Sequence, residues 1–163
     1  MKQLLMIVLA IGISATAAFG QSAIPKPGPE QSRLGFFIGE WRFGSGGDFS
    51  GTRTCSWFSG GFQVVCIAET IRGFKGQSIW AYDPSRQTYT LYEFNNLGGG
   101  SFVTPTLQDH TWTWNTEMKE GDKVVRWRTT LTEESPTSQL LKVERSDGGP
   151  WVVFEGGRST KVR

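Results

Sequence analysis

The sequence predicts an all-β protein: a single antiparallel up-and-down β-barrel of about ten strands, with a short N-terminal helix. Three observations carry that prediction. Aromatic residues and glycine are both abundant, with seven Trp, eleven Phe, three Tyr and 21 Gly in 163 residues, which suits short strands joined by tight turns. Runs of β-type residues alternate with turn clusters at a spacing of about twelve residues. After residue 38 no stretch has a convincing helical period, so nothing provides the crossover helices of a parallel sheet. An open meander of this size would leave long exposed edges, which favours closure into a barrel. A β-sandwich is the alternative architecture.

The chain opens on a segment that does not belong to that fold. Met1–Gly20 carries one basic residue, Lys2, an uncharged run from Leu4 to Ile13, and then small residues from Ser14 to Ala18. This is the layout of a signal peptide, with cleavage expected before Gln21. The apolar run is half the length of about 20 residues that a membrane-spanning helix needs. The expectation is therefore an exported protein, periplasmic or extracellular, with no stable membrane insertion. Residues 21–30 (QSAIPKPGPE) hold three prolines and read as a lead. Residues 31–163 read as the one folded domain. The whole chain has 17 Lys and Arg against 15 Asp and Glu; losing Lys2 would leave a net charge of +1. Without a basic cluster, such a chain lacks the footprint of a nucleic-acid binder.

Within the domain, Gln31–Ile38 predicts a short helix with Leu34, Phe37 and Ile38 on one side. Ten strands follow, at Glu40–Phe43, Thr52–Trp57, Phe62–Ile71, Gln77–Tyr82, Thr88–Phe94, Ser101–Val103, His110–Thr116, Val124–Thr132, Gln139–Ser146 and Trp151–Arg158. Between them lie turn clusters such as NNLGGG, PTLQD, EGDK and SDGGP. One hairpin can be read in detail. Gly60-Gly61 is a strong two-residue turn signal, and counting outward from it sets Cys55 opposite Cys66. Trp57, Phe62, Val64 and Ala68 share that face, so it points inward. Export to an oxidising compartment makes a Cys55–Cys66 disulfide the expectation, while two Cys and one His cannot build a zinc site. Counting from the turn places the pair at a hydrogen-bonded position, with Cα atoms about 5.5 Å apart.

Gly39-Glu40-Trp41, directly after the short helix, resembles the Gly-x-Trp signature of lipocalin-type (calycin) barrels. In those proteins the Trp closes one end of the barrel under an Arg of the last strand. The resemblance implies that role for Trp41 and Arg158, with Arg163 as second choice. The wider pattern runs through Gly51, Cys55-Ser56-Trp57, Gly60-Gly61, Tyr82-Asp83, Tyr89, Arg126 to Thr130, Glu144 to Gly148, and Trp151. It resembles a bacterial family catalogued as a domain of unknown function (1579-type), itself similar to the calycin barrels, over about Leu34 to the C-terminus. Related barrels of the nitrobindin type bind haem through a His near the C-terminus; here the single His is His110, mid-chain. No cofactor and no metal is expected.

The chemistry-bearing residues are few. His110 is the only imidazole, and neighbouring Asp109 would point to the opposite face of a strand, so no catalytic residue is assigned. Glu133-Glu134 lies in a polar turn with Ser135-Pro136, so solvation accounts for it. Glu69 and Glu93 lie on strands, and whichever faces inward is a candidate acid or base. Arg126 and Arg128 alternate with Val125, Trp127 and Thr129. They are either an outward polar face with Trp127 inward, or two guanidinium groups lining the interior. His110, Trp112 and Trp114 form one face that is either core or an aromatic ligand wall. The candidate ligand-binding set is accordingly His110, Trp112, Trp114, Arg126 and Arg128. The expected partner is a small hydrophobic or amphipathic molecule held inside the barrel. A filled barrel serving as a structural or interaction domain, or an envelope enzyme acting on a hydrophobic substrate, are the alternatives.

Overall fold

A computed structural model describes residues 25–44 and 50–163 of the chain. The expected signal peptide, Met1–Gly20, and the first residues of the lead lie outside the described residues. Helix α1 spans Pro29–Arg33, and a 3₁₀ turn continues it over Leu34–Phe37. Pro29 suits the first helical position, and the Gln31 side chain reaches back to accept the Gly28 amide proton at 2.9 Å. In a 3₁₀ turn residues i and i+3 eclipse, so Leu34 and Phe37 point the same way. Both are fully buried.

Eleven strands follow: β1 Gly39–Phe43, β2 Gly51–Phe58, β3 Gln63–Thr70, β4 Lys75–Asp83, β5 Thr88–Asn95, β6 Gly100–Val103, β7 Thr106–Gln108, β8 Thr111–Glu120, β9 Lys123–Ser135, β10 Ser138–Ser146 and β11 Val152–Lys161. They form one antiparallel sheet in the order β6-β5-β4-β3-β2-β1-β11-β10-β9-β8-β7. The sheet curls into a half-barrel. Its two end strands, β6 and β7, are consecutive in the chain and joined through Thr104 and the buried Pro105. Each of the ten predicted strands has its counterpart. The additional one, β7, lies in the PTLQD segment read as a turn. It is three residues long and bounded by Pro105 and by Asp109 at φ 53°, too short to show a period.

Side-chain alternation and the strand register divide the inner face into two storeys. The lower storey is a dry core in which Val64, Cys66, Trp80, Leu91, Trp112, Trp114 and Leu131 pack around Leu34 and Phe37. Phe37 stacks on Trp80 with ring centroids 4.4 Å apart, and Trp80 meets Trp112 and Trp114 edge-on at 5.5 and 5.6 Å. Trp41 is fully buried beside this plug and donates its indole N–H to the Phe37 carbonyl at 2.8 Å. Its neighbour Gly39 has to be glycine: φ is +119°, and a Cβ there would lie 2.3 Å from the Arg163 carbonyl oxygen.

The hairpin pairing holds. Cys55 faces Cys66 across β2 and β3, and the two form a disulfide. Their Cα atoms are 4.0 Å apart, so the pair is of the closer, non-hydrogen-bonded kind. The hydrogen-bonded position read from a two-residue turn is therefore corrected. The connection is longer: Phe58 pairs with Gln63, leaving four residues in the loop. Phe62 thus belongs to the loop rather than to the inward face of β3.

Candidate functional site

Beyond the plug, toward the far ends of the strands, the inner face changes character. Arg53, Ala68, Ser78, Glu93, Ser101, Thr116, Trp127, Thr129, Val143 and Glu155 all point into the curl of the sheet by register. All are only half-buried. The aromatic storey therefore gives way to an upper storey richer in small, hydroxylated and ionisable residues, each partly exposed.

Arg53 stands at the floor of that upper storey, paired with Trp41 on one side and Ala68 on the other. Its guanidinium carbon lies 5.7 Å from the Trp41 ring and 6.0 Å from the Phe37 ring. Nε and Nη2 are buried without a hydrogen-bond partner. Burial among protein atoms, with no carboxylate opposing it, pulls its pKa down to about 10. Among the described residues, Trp127 Nε1 and Gln139 Oε1 on the inner face share this condition. Across the curl, burial holds the Glu93 carboxyl above the ordinary glutamate range, partly opposed by the hydroxyl that Ser101 donates at 3.1 Å. Glu155 is raised by burial as well.

The sequence-derived site residues are dispersed over the molecule. Trp112 and Trp114 do face inward, but as core around the plug. Trp112 donates its indole N–H to Glu133 at 2.7 Å. His110 does not share their face: it lies in the turn before β8 with its side chain 73% exposed, 3.8 Å from Glu133 and within 3.5 Å of Arg33. Arg126 and Arg128 face outward, so the reading that lined the interior with them is corrected. Arg128 donates to Glu144 at 2.9 Å and lies 4.5 Å from the Trp151 ring, with Arg126 at 5.7 Å from the same ring. That ion pair is the main cause holding the Glu144 carboxyl below its ordinary range. Trp127 on the same strand points inward. Glu69 faces outward and pairs with Lys75 at 2.9 Å.

Barrel closure by Arg158 is likewise corrected. Arg158 lies on the outer face and grips Glu134 through Nε and Nη2 at 2.7 and 2.8 Å, which lowers the Glu134 pKa to about 2. Arg163 pairs with Glu40 instead. The cation over Trp41 from the last strand is Lys161, 4.8 Å from the ring. Parity explains the difference, because residues 158 and 161 stand an odd number apart and point to opposite faces. Arg53 itself went unassigned from sequence, although the signal was present: it lies two residues before Cys55, on the face already read as inward.

The outer face of β2 to β6 is also apolar. Phe58, Val65, Ile79, Tyr92 and Phe94 line a groove of about 550 Å³, with Ile67 and Phe102 exposed beside it. Among the described residues no group of three or more His, Cys, Asp or Glu is placed to hold a metal ion. No described helix is long and apolar enough to cross a membrane. No protein-family model matches the chain, and no curated protein matches it.

Proposed function

We propose that the chain is an exported, lipocalin-like (calycin) barrel that holds a small amphipathic molecule in its upper storey. The observation that carries this reading is the half-buried inner face beyond the plug, where Arg53 and Trp127 keep buried polar atoms without protein partners. Such groups cost free energy in an apolar setting unless something satisfies them. A mixed wall of hydroxyl, carboxyl, indole and aliphatic groups suits a ligand with both polar and apolar parts. The Cys55–Cys66 disulfide accords with folding in an oxidising compartment.

Native mass spectrometry of protein purified from its own host tests the proposal. A bound small molecule, released on denaturation, is the expected result. Bare protein mass, together with no tryptophan fluorescence response to a panel of amphiphiles, would overturn it. A second reading, an interaction domain, draws on the apolar outer groove between Phe58 and Phe94. An enzymatic reading would have to rest on Glu93 and Ser101, whose hydroxyl donates to the carboxylate at 3.1 Å, whereas His110 lies in the turn before β8.

A further inference from the structure

Arg158 and Arg53 present the same chemistry in opposite circumstances. On the outer face, Arg158 uses its Nε–Nη2 edge to grip both oxygens of the Glu134 carboxylate. That edge matches a planar carboxylate in geometry and charge. On the inner face, the same two nitrogens of Arg53 are buried and have no partner. The guanidinium instead rests against Phe37 and Trp41 at 6.0 and 5.7 Å, near the outer limit for a cation–π contact. Protein surrounds Arg53, yet the residue keeps partial accessible surface. By register the side chain lies on the inner face of the sheet.

We propose, on the strength of the interior-binding reading above, that Arg53 anchors the carboxylate of the ligand, which enters head first. Its charged end seats beside Phe37 and Trp41, and its apolar end points toward Trp127 and Val143. The Arg53 side chain turns from the two rings so that Nε and Nη2 meet the two carboxylate oxygens. Glu93 and Glu155 on the same inner face disfavour a second negative charge. The ligand class is therefore a monocarboxylate with an apolar tail. Salt in the form of a bare anion would satisfy the charge but leave the upper storey unfilled.

The test compares binding of decanoate, 1-decanol and decyltrimethylammonium to the full mature chain by calorimetry. Decanoate is expected to bind at least about tenfold more tightly than decanol, and the cation least of all. Arg53→Met should abolish the preference for decanoate over decanol. Arg53→Lys should keep part of it, since an ammonium cannot make the two-point contact. Equal affinity of the wild-type protein for decanoate and decanol, or an Arg53→Met protein that retains the preference, would overturn the assignment while leaving interior binding intact. Failure of the wild type to bind any of the three would defeat both. Should Arg53→Met not fold, the wild-type preference and the Arg53→Lys variant decide.

Discussion

Glu93 sits on the inner face of β5 with a carboxyl that burial holds above the ordinary value of 4.5. Folded protein therefore binds that proton more tightly than unfolded chain does, and the protonated form favours folding. The stabilising contribution is complete below the unfolded value and is lost as pH rises through the folded one. At neutral pH the charged carboxylate disfavours the folded state. Glu93→Gln keeps an acceptor for Ser101 and removes the charge, so the variant should be more stable than wild type at pH 7. The difference should shrink toward zero at pH 4. Urea midpoints at the two pH values measure this; a destabilised variant at pH 7 would contradict the placement of Glu93. Single residues were the least legible part of the sequence. Arg158 and Lys161 both offer a cation near the end of the last strand, and only the register of β11 tells which one lies over Trp41. The same parity decides between Arg126 and Trp127.

The β2–β3 hairpin was legible because its turn residues and its cysteines constrain each other. Gly60 and Gly61 both adopt positive φ, and the pairing that follows brings Cys55 against Cys66. The turn type was not legible, since the number of residues that a loop leaves unpaired depends on how Ser59 and Phe62 are drawn in. The disulfide closes a short loop, so replacing both cysteines with serine should cost about 3 kcal/mol in the chain-entropy model. Wild type should lose about the same amount in reductant, and the double variant should be insensitive to reductant. Equal urea midpoints for oxidised and reduced wild type would contradict a stabilising role. Strand β7 marks the opposite limit. Three residues between a proline and a left-handed Asp109 carry no alternation to read, and their pairing with β8 comes from being held beside it.

At the scale of the whole molecule, every hydrogen-bonded strand pair but one among the described residues joins neighbours in sequence. The exception is β1 with β11, where Trp41 meets Lys161. Trp41→Ala should cost about 3–5 kcal/mol through the cavity it leaves. In a urea double-mutant cycle it should couple to Lys161→Ala and be additive with Arg158→Ala. Coupling to Arg158 instead would reverse the assignment. The architecture was legible from turn spacing and from Gly39-Glu40-Trp41, because both reflect the chain's own local rules. The curl, by contrast, depends on a contact spanning most of the sequence. That arrangement also orders events in time. The β2–β6 and β8–β11 arms can each zip hairpin by hairpin, whereas the β1–β11 seam must close a loop of more than a hundred residues, at an entropic cost that grows with loop length. The seam is thus the natural last step of assembly and the first to part, so substitutions at Trp41 should show in the unfolding rate far more than in the folding rate.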